Sequence, residues 1–208
     1  MARGEIGFVG LGIMGKPMVR NLMKADYSVT VYDIVAESVE ELATDGAIAA
    51  SSAAEVASNN PIVITMVPDS PQSEAAILGP GGVLEGASEG DTVIDMSSIA
   101  PASSQKIAAA CEEAGVNFLD APVSGGETGA IDGTLAVMVG GKKDIFDANF
   151  DIMSAMSGSI VLCGPYGAGN TTKLANQIIV AGNIAALGEA MVLARKSGID
   201  PQVVFDAI

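Results

Sequence analysis

The chain has 208 residues, enough for one large domain or one domain plus part of a second, and its 49% hydrophobic content allows a substantial core. With 10 basic and 25 acidic residues, its net charge is −15, which argues against a general affinity for nucleic acid or for an anionic membrane. The absence of histidine excludes a Ser-His-Asp triad, a histidine general acid and a histidine-ligated metal. Cys111 and Cys163 lack metal-ligand spacing, so we expect reduced core thiols and no metal site.

A glycine-rich turn follows the first predicted strand, residues 6–9. Gly10, Gly12 and Gly15 have G-x-G-x-x-G spacing, and residues 14–25 then show the apolar periodicity of a helix. In such a turn the first glycine permits a tight bend, the second lets a pyrophosphate approach the backbone, and the third lets the helix pack on the strand. The helix N-terminus attracts the phosphates. We predict a dinucleotide site; the alternative is a turn that binds nothing.

An acidic residue closes the second predicted strand, residues 28–32. Asp33 follows Gly15 by 18 residues, close to the spacing of roughly 20 expected for the carboxylate that holds the ribose hydroxyls. Because this carboxylate would repel a 2′-phosphate and no arginine follows it in the next three residues, we predict a preference for NADH over NADPH.

Two apolar segments could be mistaken for membrane-directed sequences. Arg3 precedes the first apolar run as in a signal peptide, but Lys16 interrupts that run, and we expect a mature cytoplasmic start. The longest apolar segment, residues 178–194, contains Asn183 and Glu189, so we expect no membrane span.

The remainder of the N-terminal region alternates predicted helices with predicted strands. The helices are predicted over 36–43, from Ser51 or Ser52 to 57, from Ser70 onward and over 101–114, and the strands near Ala47 and over 61–67, 92–95 and 117–119. This alternation predicts an α/β fold with a Rossmann-type, doubly wound, mainly parallel sheet. Ligands of such sheets lie beyond the carboxyl ends of the strands, where Met66, Val67, Ser97 and Ser98 fall. The alternative reading of these four residues is ordinary strand-to-helix turns.

Residues 120–133, DAPVSGGETGAIDG, are rich in turn formers. Within them, the backbone N–H groups of Gly125 and Gly126 can form an anion-binding nest, and the hydroxyl of Ser124 adds a donor. This combination suits a substrate carboxylate; a flexible turn is the alternative. Further strands are predicted over 134–139 and 159–162, with a helix over 143–156 between them.

One long helix is predicted over residues 167–196. Lys173 lies in its opening turns, and Asn176 and Gln177 share its face at i+3 and i+4. The lysine could donate a proton to a carbonyl oxygen or stabilise charge on it, or it could simply extend its amine to solvent. We place a domain boundary near Gly164, with a dinucleotide-binding domain over 1–163 and the start of an all-helical domain over 164–208.

Four segments, FVGLGIMGKPMVRNL, VIDMSSIAP, DAPVSGG and GAGNTTKLANQ, occur in this order and closely resemble the β-hydroxyacid dehydrogenases, also called the 3-hydroxyisobutyrate dehydrogenase family. The resemblance covers essentially the whole chain and implies that Lys173 is catalytic. The cofactor residues that it implies are Gly10, Leu11, Gly12, Ile13, Met14, Gly15, Asp33, Met66, Val67 and Ser98. The substrate residues that it implies are Ser124, Gly125, Gly126, Asn176 and Gln177.

The finer features AIDGTLAVMVGG and GNTTKLANQIIVAGNIAA most resemble the family members that reduce tartronate semialdehyde. The implied reaction is a reversible, NADH-dependent reduction of that aldehyde to D-glycerate, in which Lys173 protonates the oxygen. The alternatives are a dehydrogenase for 3-hydroxyisobutyrate or succinic semialdehyde, or a dinucleotide-binding fragment without turnover. The implied partners are a small aldehyde-acid substrate and further copies of the chain through helical regions, in the cytoplasm.

Members of this family continue well beyond the position of Ile208, with more helices and a further lysine that closes the site. The present sequence stops just after a helix predicted to begin at Asp200-Pro201. The resemblance therefore predicts a C-terminally truncated member, and we expect the 208 residues to bind NADH but to reduce substrate poorly.

Overall fold

The computed structural model of the chain describes residues 3–208 and divides them into two compact units, one ending at Lys173 and the other Leu174–Ile208. The strands are β1 (Glu5–Val9), β2 (Ser28–Tyr32), β3 (Ile48–Ala49), β4 (Ile62–Thr65), β5 (Thr92–Asp95), β6 (Asn117–Asp120), β7 (Val123–Ser124), β8 (Leu135–Gly141) and β9 (Ser157–Gly164). The helices of the first unit are α1 (Gly15–Lys24), α2 (Ala36–Thr44), α3 (Ala53–Ser58), α4 (Ser70–Leu78), α5 (Val83–Gly86), α6 (Pro101–Glu113), α7 (Gly126–Asp132) and α8 (Lys143–Ser154). Helix α9 (Ala168–Lys196) begins in the first unit and continues in the second, where α10 (Pro201–Ala207) follows it.

The strands form one sheet in the order β3-β2-β1-β4-β5-β6-β8-β7, and β9 pairs with β8. The first six strands in chain order are mutually parallel, which confirms the predicted Rossmann-type sheet. Strand β8 runs antiparallel to β6 and β7, an arrangement that the sequence did not predict. Because the strand order reverses between β1 and β4, a crevice opens at their carboxyl ends, where such folds bind ligands.

The two faces of the sheet are covered by separate apolar clusters. Phe8 belongs to the cluster that also contains Met18 and Leu22 of α1, whereas the next residue, Val9, belongs to the cluster with Ile107 of α6. This follows from the geometry of a strand, because successive side chains point to opposite faces of the sheet. Burying each of these large side chains stabilises the fold by about 1.5–3 kcal/mol.

Short polar side chains cap helices α3 and α4, and the capping residue of α4 differs from the prediction. Ser52 caps α3 as predicted, since its hydroxyl accepts a hydrogen bond from the backbone N–H of Glu55 at 3.0 Å. The sequence predicts Ser70 as the cap of α4, but Asp69 is the capping residue, and its carboxylate accepts a bond from the Ser70 N–H at 2.7 Å. The Ser70 hydroxyl instead accepts a bond from the N–H of Ala100, which ties α4 to the loop before α6.

The two cysteines are free, but they differ in burial. Cys111 is completely buried, as predicted, and burial raises the pKa of its thiol to about 12. Cys163 on β9 is only half-buried, so the prediction of a core thiol is wrong for this residue. A thiol with a pKa as high as that of Cys111 remains protonated at neutral pH and is a poor nucleophile.

The second unit contains most of α9 and the whole of α10. Gly198, with φ of +77°, ends α9, and Asp200 caps α10 by accepting a bond from the N–H of Gln202 at 3.0 Å. By length and composition alone, α9 is long and apolar enough to cross a membrane, contrary to the expectation of no such segment. A helix of a water-soluble protein can meet the same criterion, so it is weak evidence for a membrane span.

Candidate active site

The three glycines of the turn after β1 occupy three different environments. Gly10 has φ of +99°, and a Cβ there would lie 2.2 Å from the carbonyl oxygen of Met66, so no side chain fits. A Cβ on Gly15 would lie 2.0 Å from the carbonyl oxygen of Gly10 and 3.3 Å from the ring of Phe8. A Cβ on Gly12 would meet nothing within 4 Å. The first glycine therefore lets the turn approach the residue after β4, and the third brings the start of α1 against the turn and β1. The second faces open space that a ligand can fill.

The carboxylate of Asp33 is held by two backbone groups at the end of β2. Its Oδ2 accepts a hydrogen bond from the N–H of Leu11 at 2.5 Å, and its Oδ1 accepts one from the N–H of Val35 at 2.8 Å. Each carboxylate oxygen has a second lone pair, so both can still accept hydrogen bonds from ligand hydroxyls. Asp33 thus both fixes the glycine turn and presents a charged acceptor beside it.

A cavity of about 900 Å³ opens at the switch point of the sheet. All ten residues predicted to contact the cofactor line it: Gly10, Leu11, Gly12, Ile13, Met14, Gly15, Asp33, Met66, Val67 and Ser98. The volume is in the range of cofactor sites. Lining residues that the sequence did not indicate are Val9, Tyr32, Ile34, Val35, Ser38, Ala53, Pro68, Gln72, Ala75, Ala76, Pro80, Gly81 and Gly82. The lining residues on α4 and on the turn after it have no sequence motif that identifies them. Their contact with the cavity depends on where the helix packs, which the sequence pattern does not give.

The strand-end serines have different positions. Ser98 lines the cavity, whereas Ser97 is buried and its hydroxyl accepts a hydrogen bond from the N–H of Val67 at 2.9 Å. The carboxylate of Asp95 in turn accepts bonds from the Ser97 N–H at 3.0 Å and the Thr65 hydroxyl at 2.9 Å. Burial raises the pKa of Asp95 above its ordinary value. Ser97 therefore does not line the cavity but connects the segment after β5 to the segment after β4 through its hydrogen bond with Val67.

The predicted substrate loop lies where β7 passes into α7. Ser124 is half-buried, and Gly125 and Gly126 are exposed, with φ of +141° and +62°. Both glycines adopt backbone conformations that L side chains rarely take. These three residues do not line the 900 Å³ cavity. Their role toward a substrate remains a prediction.

Lys173 is buried, with 9% of its surface exposed, and lies in the opening turns of α9. Burial lowers the pKa of its ammonium group below the ordinary value for lysine. Asn176 and Gln177 follow on the same helix, within the second unit, and the Asn176 amide donates a hydrogen bond to the Gln177 side chain at 3.2 Å. A buried lysine with a lowered pKa can transfer a proton nearer to neutral pH than an exposed one.

The geometry of the glycine turn fits NAD(P). The open space at Gly12, the start of α1 at Gly15 and the fixed carboxylate of Asp33 correspond to the pyrophosphate and ribose positions of a dinucleotide. Within residues 3–208, no group of three or more metal-ligating side chains is arranged to hold an ion. The glycine turn and the carboxylate of Asp33 are therefore suited to a dinucleotide.

Comparison with known proteins agrees with this chemistry. Residues 5–164 match the family model described as the NAD binding domain of 6-phosphogluconate dehydrogenase, and residues 167–208 match that described as NAD-binding of NADP-dependent 3-hydroxyisobutyrate dehydrogenase. The chain is 43% identical to 2-hydroxy-3-oxopropionate reductase of Escherichia coli (strain K12) over 204 residues, which are 98% of the chain and 70% of that protein.

Two further relatives extend the match. The mitochondrial 3-hydroxyisobutyrate dehydrogenase of Homo sapiens is 39% identical over 202 residues, 97% of the chain and 60% of that protein. The solved structure of 3-hydroxyisobutyrate dehydrogenase from Mycobacterium tuberculosis with L-serine superposes with a TM-score of 0.91 at 36% identity, over 100% of the chain and 70% of that structure. The chain is therefore a member of the β-hydroxyacid dehydrogenase family, whose members are NAD(P)-binding oxidoreductases.

Proposed function

We propose that the protein reduces tartronate semialdehyde to D-glycerate with NADH, in a reversible reaction. The observation that carries the proposal is the cavity at the switch point, with open space at Gly12 and a fixed carboxylate at Asp33. Tartronate semialdehyde and 2-hydroxy-3-oxopropionate are the same compound. The 43% identity to 2-hydroxy-3-oxopropionate reductase therefore supports the choice of substrate. Bound NADH supplies the hydride that reaches the aldehyde carbon.

Lys173 provides the proton in this proposal. As the aldehyde carbon accepts the hydride, negative charge develops on its oxygen, and the ammonium group of Lys173 donates a proton to that oxygen. Its lowered pKa makes the ammonium a stronger acid than that of an exposed lysine. In the reverse direction, the neutral amine of Lys173 accepts the proton from the alcohol.

The substrate carboxylate is held by neutral donors in this proposal. The chain carries a net charge of −15, so an anionic substrate requires a local concentration of donors. The hydroxyl of Ser124 and the backbone N–H groups of Gly125 and Gly126 supply them. Both glycines are exposed, which supports this assignment.

The nearest alternatives are oxidation of 3-hydroxyisobutyrate and reduction of succinic semialdehyde. The first is supported by the 39% identity to the human enzyme of that name. A panel of aldehyde-acids and hydroxyacids, assayed for kcat/KM with both cofactors, tests the proposal. We expect tartronate semialdehyde to give the highest value. A higher value for another substrate would replace the proposal, and NADH binding without turnover of any of them would identify a binding fragment.

Asp33 sets the cofactor preference in this proposal, and NADH is expected to be used better than NADPH. Replacing Asp33 with Asn removes the charge that repels a 2′-phosphate, while the amide oxygen can still accept one of the two backbone hydrogen bonds. We expect the ratio of kcat/KM for NADH to that for NADPH to fall by about tenfold, equivalent to 1.4 kcal/mol. Better use of NADPH by the unsubstituted protein would contradict this reading of Asp33.

Ser124 acts in ground-state binding in this proposal. We expect Ser124→Ala to raise KM for the aldehyde-acid by about tenfold while kcat changes little, because the lost hydrogen bond reaches the carboxylate rather than the reacting carbonyl. Ser154→Ala is the matched control, since that hydroxyl is exposed and donates only to the Phe150 carbonyl of its own helix. An equal loss of kcat and kcat/KM in Ser124→Ala would instead place the hydroxyl at the reacting centre.

We further propose that the protein is cytoplasmic and self-associates through its helical regions. The exposure of apolar side chains on α9 supports association, with Ile178 75% exposed and Ile184 66% exposed. Light scattering over a range of concentrations tests the oligomer, and cell fractionation tests the location. A constant monomer mass would contradict the first proposal, and recovery in the membrane fraction the second.

A further inference from the structure

The start of α9 is held by a buried carboxylate. Asp120, the last residue of β6, is completely buried, and its Oδ1 accepts a hydrogen bond from the N–H of Gly167 at 2.7 Å. Its Oδ2 accepts a bond from the N–H of Asn170 at 2.9 Å. The first N–H groups of a helix have no partner within the helix and lie at the positive end of its dipole. The carboxylate therefore satisfies two of these donors and attaches α9 to the end of β6.

The side chain of Asn170 makes the second attachment. Its Oδ1 accepts a hydrogen bond from the N–H of Ile99 at 2.9 Å, and its Nδ2 donates to the hydroxyl of Ser104 at 3.0 Å. Asn170 is 1% exposed, so these bonds form away from water. Ile99 directly follows Ser98, which lines the cofactor cavity. The first turn of α9 is thus fixed to the loop beside the cavity as well as to β6.

Lys173 lies three residues after Asn170, slightly less than one helical turn along α9. A helix is stiff over one turn, so fixing its first turn fixes the origin of the lysine side chain. Asp120 also begins the segment that leads, four residues later, to Ser124 of the predicted substrate loop. The two attachments consequently relate Lys173 both to the loop beside the cavity and to the end of β6, which precedes Ser124 by four residues.

Capping α9 with the buried carboxylate of Asp120 costs more desolvation free energy than capping α4 and α10 with exposed carboxylates. Burial, with a smaller contribution from the neighbouring carboxylate of Asp95 on β5, raises the pKa of Asp120 to about 6, although backbone N–H groups that donate to it act in the opposite direction. Helices α4 and α10 begin with the exposed carboxylates of Asp69 and Asp200, which cap without such a penalty. Capping alone does not require burial, so the buried position calls for a further role.

We propose that Asp120 and Asn170 are positioning residues that hold the ammonium group of Lys173 in place for proton transfer. The proposal rests on the proposed function of Lys173 as the proton donor. Misplacing a reacting group by about 1 Å can cost about 100-fold in rate. The expected signature is therefore a loss of kcat while affinity for the cofactor remains.

The variants Asn170→Leu and Asp120→Asn test this proposal. Asn170→Leu removes both side-chain hydrogen bonds of Asn170 and keeps a side chain of similar volume. Asp120→Asn replaces one carboxylate oxygen with an NH2 group, which cannot accept a hydrogen bond from the N–H of Gly167 or Asn170. We expect kcat to fall by about 10- to 100-fold with the Kd for NADH changed by less than about twofold. Asn149→Leu is the control, because Asn149 is also buried, at 3% exposed, but donates only to the Ile145 carbonyl of its own helix.

A second measurement does not depend on turnover. The rate of acylation of Lys173, measured by peptide mass spectrometry as a function of pH, reports its pKa in each variant. We expect this pKa to rise toward the ordinary lysine value in Asn170→Leu and Asp120→Asn, because a loosened helix start admits water, and to stay unchanged in Asn149→Leu. Asn170→Asp keeps the acceptor for Ile99 and provides an intermediate case if the leucine variant fails to fold.

The outcomes separate this proposal from the proposed function. If the unsubstituted protein binds NADH without turnover, the proposed reaction fails for this chain, while the acylation measurement still shows whether Asp120 and Asn170 fix the surroundings of Lys173. An unchanged pKa of Lys173 in correctly folded variants would overturn the positioning role. Equal losses of kcat in these variants and in Asn149→Leu would overturn it as well, since they would indicate general destabilisation.

Discussion

Replacing Lys173 with Ala is expected to abolish most turnover and to leave NADH binding intact. A general acid contributes about 10²–10⁴-fold to a rate, and lost stabilisation of the developing oxyanion adds to that loss. Lys173 does not line the cofactor cavity, so the Kd for NADH should change little. Steady-state kinetics and NADH fluorescence titration measure the two quantities. Lys143→Ala is the control, because Lys143 is exposed and pairs only with Asp147 on the next turn of α8.

The pH dependence of the reduction gives an independent check on the same residue. The protonated form of Lys173 is the proton donor, so the rate should be full below its pKa and fall as the pH rises through it. Because burial lowers this pKa, the fall should occur below the range of an exposed lysine. Near-normal kcat in Lys173→Ala, or the same alkaline fall in that variant, would remove Lys173 from the mechanism.

Gly12→Val is expected to lose affinity for NADH with little change in stability, whereas Gly15→Ala is expected to lose stability. A side chain at Gly12 enters open space, so the free energy of unfolding should change by less than about 0.5 kcal/mol. That space is where the pyrophosphate would lie, and affinity for NADH should fall by about 100-fold or more. At Gly15 a Cβ would lie 2.0 Å from the Gly10 carbonyl oxygen, and we expect a destabilisation of about 1–3 kcal/mol.

Chemical denaturation and NADH titration of both variants distinguish the two failures. Wild-type NADH affinity in Gly12→Val would show that the pyrophosphate does not approach this turn. Wild-type stability in Gly15→Ala would show that α1 can move away from β1 at little cost.

The parallel strands and most helices between them were predictable because their signals are local, whereas the four-residue α5 was not predicted. Buried parallel strands form short apolar runs, and the helices between them show their own periodicity. The region from Ala121 to Gly133 was not predictable in the same way. Strand β7 has only two residues and is defined by its antiparallel pairing with β8. Helix α7 contains two glycines and is held from outside, since the Asn21 side chain donates to the Ala130 carbonyl at 2.7 Å.

The candidate site divides along the same line. Gly10 and Gly12 could be identified from the sequence because they have a fixed spacing within one short turn. Asp33 could be identified because it ends the next predicted strand at the expected distance from that turn. The partners of Asn170 lie 66 and 71 residues away in the chain, and Asp120 is 50 residues away. No periodicity or spacing rule relates residues at such distances, and their side chains are brought together only by the folded sheet.

The buried carboxylate of Asp120 also limits which sequences the fold tolerates nearby. A Cβ at Gly140 would lie 2.3 Å from its Oδ1, and a Cβ at Gly169 would lie 2.9 Å from its Oδ2 and 2.4 Å from the Met138 carbonyl oxygen. Even alanine would therefore displace the carboxylate or the helix that it holds. In a scan of every substitution, both glycines should be as intolerant as Lys173. High sensitivity to substitution in this protein would consequently identify positions that are constrained by packing as well as positions that take part in catalysis.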